Sequence, residues 1–380
     1  MTGREKIEAA ITPEGSREFA AVIPYEMLCY RDHWDELTPI PWWHRFDPDL
    51  DCQFNWYRDM FNGVPQDWMG LPASASKIER GRITIKSQGS KAFHVDHVSG
   101  QEAEIERPQV GGWSAALAQN HSVIPADFPR TSADVVRLIP DPVFYDQERA
   151  FVDGTLDLPK RLLAAFPDRL PTGYVVSPLW QCYRIWGFEG LMTQIVDQPE
   201  MVRLAAERYL SIALSSLAAQ AARGIRVVWI EECFTDLIHP QVFAALNLPL
   251  IQRLIDGIHQ YGMAAVYYYC GDPGQRLEAL ISSGTDILGL EEGKKGFEID
   301  IAAIAGQVAG RCALLGNLDA IGCLEQQDEK GIRDEIKRQM AAGRCNHGRF
   351  IMSLGSPVTP GTSMPKLRRY FEMACDLGRN

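Results

Sequence analysis

The sequence predicts an α/β fold, a (β/α)8 TIM barrel with an irregular, aromatic-rich N-terminal extension. From about residue 170 onward, short apolar runs alternate with stretches in which apolar residues recur every three or four positions. This alternation is typical of strands and helices in a parallel sheet. The runs are TGYVVSP (172–178), IRVVWIEE (225–232), MAAVYYYC (263–270), DILGLEE (286–292), CALLGN (312–317) and RFIMSLG (349–355). Because these units repeat without a GxGxxG phosphate-binding pattern, a closed barrel is favoured over a doubly wound nucleotide-binding sheet.

Residues 1–130 lack this alternation of apolar runs and helical stretches. We expect them to form an extension packed on the barrel of residues 131–380, within one structural domain. The stretch GRITIKSQGSKAFHVDHVSGQEAEIERP (81–108) alternates apolar and polar residues around glycines, which predicts short antiparallel strands. Five of the nine tryptophans fall between residues 30 and 70. Their rings are expected either to line a pocket for a flat ring or to fix the extension to the barrel.

The composition is that of an ordinary globular protein that binds neither nucleic acid nor membrane. Of the 380 residues, 38 are Lys or Arg and 49 are Asp or Glu, and the formal net charge of −11 disfavours phosphate backbones and anionic lipids. No apolar run is long enough to span a bilayer. The cysteines are scattered and form no CxxC pair, and no secretory pattern opens the sequence. We therefore expect a cytoplasmic enzyme with reduced thiols.

The chemistry of a (β/α)8 barrel is expected where its strands end, because the loops that follow the strands meet at one face. Five consecutive runs finish in polar or ionisable side chains. These ends are Glu231–Cys233, Tyr268–Asp272, Glu291–Glu292, Gly316–Asp319 and Gly355–Pro357. Their residues are the candidates for a site.

Two strand ends carry the residues that we select for catalysis. Glu231 and Glu232 are directed to opposite faces by period-two alternation, and we select Glu232 as the acid, base or metal ligand, with a salt bridge or helix cap as its alternative. Tyr268 is expected to protonate or hold a departing phenolate, unless it is barrel core. Cys270 shares its face and is expected to contact substrate or a metal, with an inert buried thiol as the alternative.

Other polar side chains are expected to line the pocket, and each has a structural alternative. Asn247 stands beside Pro249 and could serve locally as a cap or turn residue. Asn317 and Asp319 follow a strand and could hydrogen-bond substrate, or Asp319 could cap the next helix. Ser356 precedes a proline and is more typical of a turn.

Several segments, taken in order, resemble the uroporphyrinogen decarboxylase superfamily, which includes the methylcobamide-dependent methyltransferases. The resemblance covers about residue 172 to the end of the sequence. Its segments are SPLWQCYRIWGFEGLMTQIVDQPEMVRLAAE (177–207), PQVFAALNLPLIQRLIDGIHQYGMAAVYYYCGD (240–272), GNLDAIGCL (316–324) and RFIMSLGSPVTPGTSMPKLR (349–368). The resemblance implies a TIM barrel that binds a methyl donor or acceptor over the strand ends, docks a separate corrinoid protein there and in many members holds zinc as a Lewis acid.

The sequence departs from the zinc patterns of these relatives. The thiol-methylating branch has His-x-Cys and a distant Cys, where this sequence has Tyr268, Cys270 and Ser356. The aryl-methyl-ether demethylase branch resembles Glu, fourteen residues, Glu, twenty residues, His, which falls on Glu232, Asn247 and Tyr268. If a metal is bound, the resemblance leaves Glu232 and Cys270 as its ligands, because Asn and Tyr are poor zinc ligands beside carboxylate and imidazole.

Two further features bear on the substrate and the cofactor. The N-terminal arginines are isolated rather than clustered, and with the net charge of −11 this disfavours a polyanionic tetrapyrrole substrate. The segment FHVDHVSG (93–100) differs from the Asp-x-His-x-x-Gly loop that holds cobalamin in the proteins that carry it. The corrinoid is therefore expected to come from a partner protein, and zinc is an uncertain second cofactor.

The leading hypothesis is the methyltransferase of a corrinoid-dependent O-demethylation system, which passes a methyl group from a small methoxylated aromatic to the Co(I) corrinoid of a separate protein. Glu232 and Tyr268 are its expected catalytic residues. The expected substrate-binding residues are Asn247, Cys270, Asn317, Asp319, Trp43 and Trp180. A homodimer is left open. The alternatives are a metal-free decarboxylase, for which Arg184 is the near cationic residue, and a non-catalytic partner of a corrinoid protein.

Overall fold

Eight parallel strands form the barrel in the computed structural model, which describes residues 1–111, 128–293 and 296–379. The strands of the described residues are β1 (Ala20–Ala21), β2 (Trp68–Gly70), β3 (Ile83–Gln88), β4 (Lys91–Asp96), β5 (Glu102–Ile105), β6 (Leu170–Val176), β7 (Val227–Glu232), β8 (Ala264–Tyr269), β9 (Ile287–Leu290), β10 (Ala313–Leu315) and β11 (Phe350–Met352). The barrel strands follow one another in the order β1, β11, β10, β9, β8, β7, β6, β2. The backbone N–H of Asp67 donates to the carbonyl of Ala21 at 3.0 Å and joins the two end strands. The predicted (β/α)8 barrel is confirmed.

Helices separate the barrel strands and cover the outside of the sheet. They are α1 (Gly3–Ile11), α2 (Glu26–Leu37), α3 (Leu50–Gly63), α4 (Lys77–Arg82), α5 (Ser132–Leu138), α6 (Gln147–Asp153), α7 (Asp157–Ala165), α8 (Pro178–Gln181), α9 (Tyr183–Asp197), α10 (Pro199–Arg223), α11 (Pro240–Leu246), α12 (Leu248–Gln260), α13 (Leu277–Ile281), α14 (Ile301–Val308), α15 (Glu329–Cys345) and α16 (Met364–Gly378). The longest, α10, begins at a proline in its first turn and ends at Gly224, whose φ of 93° is the left-handed conformation that glycine adopts readily. Among the described helices, none combines the length and the apolar character that crossing a membrane requires.

The barrel wall is apolar on both faces, as expected of parallel strands that are covered by helices. On β7, Val227 and Trp229 belong to a buried cluster inside the barrel, whereas Val228 and Ile230 belong to the larger core between sheet and helices. Strand β8 lies beside β7 in a register that places Glu232 opposite Tyr269. The alternation therefore decides which residue at each strand end faces the barrel mouth.

Helix α1 closes the barrel at the end where the strands begin. Its residues Ile7 and Ala10 are fully buried and belong to the same interior cluster as Leu170 and Val227 at the first positions of β6 and β7. The backbone N–H of Arg4 donates to the carbonyl of the residue two before β6 at 2.8 Å. The open end of the barrel is therefore the one at which the strands finish.

The N-terminal region contributes more to the barrel than the sequence predicts. The antiparallel strands expected within residues 81–108 are present as β3, β4 and β5. However, β1 and β2 are barrel strands, so a boundary at residue 130 does not coincide with an edge of the barrel. These strands have only two and three residues, which is too short for an alternation pattern to be seen.

The N-terminal aromatic residues mainly form core. Trp68 lies inside the barrel, with its ring centroid 5.9 Å from that of Trp229. Trp56 and Phe61 of α3 pack outside the barrel, where both rings contact Tyr30. This arrangement corresponds to the alternative in which the rings fix the N-terminal region to the rest of the fold.

Candidate active site at the barrel mouth

Glu231 is an acidic residue that faces the inside of the barrel at its open end. It follows Val227 and Trp229 on the inward face of β7 and is 8% exposed. Its Oε1 accepts a hydrogen bond from the hydroxyl of Tyr25 at 3.0 Å, and its Oε2 accepts one from the hydroxyl of Tyr174. Burial raises the pKa of Glu231, while the two phenol donors oppose that rise.

Two cysteines lie next to this carboxylate. Sγ of Cys270 is 3.4 Å from the hydroxyl of Tyr25, and the thiol of Cys233 donates to Oε1 of Glu231 at 3.6 Å. A contact with the thiol of Cys270, together with burial, raises the pKa of Cys233, and burial raises the pKa of Cys270. Both thiols are therefore protonated near neutral pH when nothing is bound to them.

Glycine is required directly after Cys270. Gly271 has a φ of 125°, and a Cβ atom there would lie 2.4 Å from Cγ of Asp236. The chain therefore turns out of β8 at a position that no larger residue fits without displacing its neighbours. This turn fixes Cys270 at the rim of the mouth.

Aromatic rings form the floor of the mouth. The ring of Tyr25 meets the edges of Trp229 and Tyr268, with centroid distances of 5.8 and 5.6 Å. Trp229 and Tyr268 stack on each other at 4.4 Å. Burial keeps the pKa of Tyr25 well above its usual value, so its phenol stays neutral and can donate a hydrogen bond.

Tyr25 reaches this position through an unusual backbone conformation. Its φ of 52° and ψ of 42° lie in the left-handed region, which few residues other than glycine occupy. The residue connects the segment after β1 to the first turn of α2, so its side chain crosses the open end of the barrel. Strain of this kind is often retained where a side chain must be held at a functional site.

The structure places Glu232 outside the barrel mouth, in contrast to its expected catalytic role. Glu232 is fully buried between sheet and helices, where its carboxylate accepts hydrogen bonds from Ser177 at 2.7 Å, Asn247 at 2.6 Å and Tyr267 at 3.0 Å. Burial raises the pKa of Glu232 to about 7, and these donors oppose the rise. Glu232 and Cys270 face opposite sides of the wall and cannot share a metal ion. Asn247 likewise binds Glu232 rather than the mouth.

Tyr268 faces the barrel interior, as predicted, but its hydroxyl is already used. The hydroxyl donates to the carbonyl of Gly355 at 2.5 Å, and the residue is 1% exposed. The ring contributes to the floor of the mouth, which corresponds to the core alternative. Tyr25, directly above it, has the phenol that reaches the mouth.

The two polar residues that follow β10 hold the backbone in place. The side-chain amide of Asn317 donates to the carbonyls of Glu291 and Ile299, both at 3.2 Å. Oδ1 of Asp319 accepts from the backbone N–H groups of Ile321 and Gly322, both at 2.9 Å, and caps the π-helical turn Ala320–Glu325. These contacts match the structural alternative that the sequence leaves open for Asp319.

Neither of the two tryptophans expected to bind substrate belongs to the aromatic floor. Trp43 lies in the 3₁₀ turn Trp42–Arg45, where its ring contacts Trp42 and His44. Trp180 lies in α8 and packs against the core outside the barrel. The rings that contact Tyr25 are those of Trp229 and Tyr268.

The zinc ligand positions implied by the resemblance do not come together here. Glu232 and Asn247 lie behind the barrel wall, while Tyr268 faces the interior with its hydroxyl already donated. Ser356, at the position of the distant cysteine, donates its hydroxyl to Oε1 of Glu292 at 2.6 Å. A zinc ion with either ligand set of the relatives therefore does not fit these side chains.

Four residues of the mouth, Tyr25, Tyr174, Glu231 and Cys233, are not among the site residues that the sequence predicts. The alternation in IRVVWIEE separates Glu231 from its neighbour but does not say which faces inward, because both faces are apolar. Cys233 directly follows β7, so the position of active sites at strand ends is a signal for it, whereas Tyr174 lies two residues before the end of β6. Tyr25 gives no local signal, because it is far from β7 in the sequence.

Comparison with known proteins identifies the family. Residues 91–376 match the family model described as Uroporphyrinogen decarboxylase (URO-D). The chain belongs to the uroporphyrinogen decarboxylase family. The predicted resemblance to this superfamily is thereby confirmed.

Relatives in the uroporphyrinogen decarboxylase family are distant. A uroporphyrinogen decarboxylase of Methylococcus capsulatus is 28% identical over 243 residues, which are 61% of this chain and 65% of that protein. One from Teredinibacter turnerae is 26% identical over 176 residues, 46% of this chain and 48% of that protein. The chain thus spans less than two thirds of the length of these relatives.

A solved structure shares the fold over nearly the whole chain. A methyltransferase from Methanosarcina mazei matches with a TM-score of 0.64 over 99% of this chain and 98% of that chain, at 15% identity. This likeness supports the barrel architecture, including the N-terminal strands β1 and β2 that lie before residue 91.

Proposed function

We propose that the chain is a corrinoid-dependent methyltransferase that takes a methyl group from a small methoxylated aromatic. The acceptor in this proposal is the Co(I) corrinoid of a separate protein. The observation that carries it is the group formed by Tyr25, Glu231 and Cys270, where a neutral phenol, held by a carboxylate, lies over an aromatic floor. The fold shared with a methyltransferase from Methanosarcina mazei is compatible with this reaction.

The reaction requires stabilisation of the departing aryl oxygen. As the methyl carbon leaves, the electrons of the C–O bond stay on that oxygen, while Co(I) supplies both electrons of the new Co–C bond and becomes Co(III). The aryl oxide then takes one proton and leaves as a phenol. A donor that is aimed at the developing oxygen charge lowers the barrier to this step, since hydrogen bonds are strongest where water is excluded.

Tyr25 is the residue that we assign to this donation. Its hydroxyl stays protonated because of burial, and Glu231 and Cys270 hold it above the aromatic floor. Without substrate, Glu231 accepts the single hydroxyl hydrogen of Tyr25 and so holds the phenol in place; when substrate is bound, the hydroxyl rotates about its C–O bond and donates that hydrogen to the departing oxygen instead. Tyr174 donates to the other oxygen of Glu231 and is 50% exposed, so the hydrogen-bonded groups of Tyr25, Glu231 and Tyr174 connect the mouth to solvent. Through these groups a proton from solvent can replace the one that the product takes up.

The surroundings of Glu231 favour a neutral aromatic substrate over a polyanion. The side chains described in hydrogen bonds with Glu231 are Tyr25, Tyr174 and Cys233, none of which is cationic. Glu291 adds a second negative charge that contributes to the raised pKa of Glu231. A substrate with several carboxylates would meet repulsion here in addition to that of the net charge of −11.

Methyl transfer to a reduced corrinoid is the direct test. The chain is mixed anaerobically with a corrinoid protein reduced to Co(I), and a panel of methoxyphenols is added one at a time. We expect at least one member to convert the Co(I) absorbance spectrum to that of methyl-Co(III) and to release the matching phenol. If the Co(I) spectrum stays unchanged with every methoxyphenol of the panel, the proposal is overturned.

A decarboxylase is the second candidate, because the curated relatives are named uroporphyrinogen decarboxylase. Such a reaction needs a cation beside the carboxylate that leaves as CO2. Arg184, the residue considered for this role, is exposed, and its guanidinium contacts the amide of Gln181 at 3.4 Å. Release of CO2 from a carboxylated ring without any corrinoid would favour this candidate over methyl transfer.

A further inference from the structure

The ends of β7 and β8 bring three potential metal ligands together at the barrel mouth. A carboxylate oxygen of Glu231 and the Sγ atoms of Cys233 and Cys270 all lie within 4.8 Å of one another. Glu231 and Cys270 are buried, and Cys233 is half-buried. Neither Glu231 nor Cys233 belongs to the ligand patterns of the related methyltransferases.

The spacing of these atoms suits a tetrahedral cation. A tetrahedral zinc ion with Zn–S distances of about 2.3 Å and Zn–O distances of about 2.1 Å separates two sulfur ligands by about 3.8 Å and a sulfur from an oxygen by about 3.6 Å. The observed distance from Sγ of Cys233 to Oε1 of Glu231 is 3.6 Å. Binding therefore requires small side-chain adjustments and no movement of the strands.

The sheet itself fixes the two cysteines side by side. Strands β7 and β8 are parallel, and their register pairs Glu232 with Tyr269. The next position along both strands pairs Cys233 with Cys270, and the backbone N–H of Cys270 donates to the carbonyl of Glu232 at 2.8 Å. Ligands that are fixed before binding lose little conformational entropy when a cation arrives.

Tyr25 covers the same group from the N-terminal side. Its hydroxyl contacts Oε1 of Glu231 at 3.0 Å and Sγ of Cys270 at 3.4 Å, which are two of the three donor atoms. A cation that takes the lone pairs of these atoms releases the phenol hydrogen from them. The hydroxyl of Tyr25 is then free to point into the mouth.

We infer that Glu231, Cys233 and Cys270 form a binding site for a soft divalent cation, with zinc the foremost occupant. Two thiolates and one carboxylate are ligand types that zinc prefers. Three protein ligands leave a fourth position open, which is typical of catalytic rather than structural zinc sites. The site goes beyond the proposed function, because its occupancy does not depend on methyl transfer.

Cobalt(II) binding is the test, since Co2+ reports thiolate ligands by charge-transfer absorption in the near ultraviolet. The full chain is kept under reducing conditions, stripped with a chelator and titrated with Co2+, and Zn2+ is then used to displace it. We expect about one equivalent of Co2+ with a charge-transfer band, which is lost stoichiometrically to Zn2+. Elemental analysis of the zinc-loaded protein gives the matching content, independently of any activity.

Variants assign the ligands. Cys233→Ser and Cys270→Ser are each expected to weaken the charge-transfer band and to lower the affinity for Co2+ about tenfold or more, and Glu231→Gln to lower the affinity while keeping the band. Cys375→Ser, at another half-buried cysteine on α16, is the matched control and leaves both unchanged. Thermal melts establish that each variant is folded.

Two results would overturn the inference. One is a folded wild-type chain that binds Co2+ without a thiolate band or does not bind it. The other is a band of the same intensity in Cys233→Ser or Cys270→Ser. Since these readouts need no corrinoid or methyl donor, a failure of the metal site is distinguishable from a failure of the proposed reaction.

Discussion

Glu231 and Glu232 are consecutive in the chain but lie on opposite sides of the barrel wall. Glu231 faces the open mouth and binds the hydroxyl of Tyr25, whereas Glu232 is enclosed by Ser177, Asn247 and Tyr267 between sheet and helices. The two carboxylates have the same chemistry and nearly the same position in sequence. Substitutions at them therefore separate a role in the reaction from a role in the fold.

Glutamine at each of these two positions should have opposite consequences. Glu231→Gln is expected to lower kcat for methyl transfer about 100-fold, because it weakens the acceptor that holds Tyr25, while KM changes little. Glu232→Gln is expected to keep kcat within about threefold, since an amide can still accept from Asn247 and Tyr267. Steady-state kinetics of both variants check this. A loss of kcat in Glu232→Gln with Glu231→Gln unaffected would reverse our assignment.

The same comparison can be made at two tyrosines whose rings touch. Tyr25→Phe removes the donor to the departing oxygen and is expected to lower kcat about 100-fold; it also removes a hydrogen bond to Glu231, at a cost of about 1–2 kcal/mol of unfolding free energy. Tyr268→Phe removes the buried hydrogen bond to Gly355 and is expected to cost about 1–2 kcal/mol of unfolding free energy with kcat nearly unchanged. Urea unfolding and single-turnover rates measure the two effects. Equal losses of kcat would indicate that Tyr268 also acts on substrate.

Asp319 should stabilise the fold rather than bind substrate. Asp319→Ala is expected to cost about 1 kcal/mol, because two backbone N–H groups lose their acceptor, whereas Asp319→Asn should retain most of the stability. KM for the methyl donor is expected to be the same in both variants as in the wild type. A raised KM in both variants, with unfolding free energies unchanged, would show a substrate contact instead.

Glu26 should make the stability of the protein depend on pH. Burial raises its pKa from 4.5 to about 7, against the opposing effects of the Gly70 N–H, Arg169 and Gln66. The folded state therefore binds this proton more tightly than the unfolded state. The resulting stabilisation is complete below pH 4.5 and is lost as the pH rises through about 7.

The measurement is the change in unfolding free energy between pH 5 and pH 8 in the wild type and in Glu26→Gln. The wild type is expected to lose about 2 kcal/mol more than the variant over this interval, because glutamine does not titrate. The two proteins are compared by the slope of unfolding free energy against pH and not by its absolute value. In Glu26→Gln the new side-chain amide faces that of Gln66, which donates to Glu26 at 2.5 Å in the wild type, so the substitution also changes stability at every pH. Parallel pH profiles for the two proteins would contradict the prediction.

The sequence predicts the barrel because six of its strands lie within apolar runs that are separated by helices. It does not predict β1 and β2, whose two and three residues are held by their neighbours rather than by a pattern of their own. The antiparallel strands β3 to β5 are predicted because one face is solvated, which makes their alternation visible.

The candidate site was harder to predict than the fold, for two physical reasons. Both faces of β7 are buried, so hydrophobicity alone does not say whether Glu231 or Glu232 points inward. In addition, Tyr25 reaches the mouth only because the N-terminal segment crosses it, a long-range contact without a local pattern. Cys270 was predicted to lie at the mouth because it stands two residues after Tyr268, and residues two apart along a strand face the same side.

The pairing of Ala20 with Ile351 in β1 and β11 has a consequence for how the protein is made. During synthesis the segment that carries β1 and Tyr25 leaves the ribosome well before β11, the strand that must lie beside β1. Until then the inward face of the growing barrel has no partner on that side, and non-local pairings of this kind fold slowly. The mouth is therefore completed only after β11 has been made, although the tyrosine that covers it is translated well before that strand.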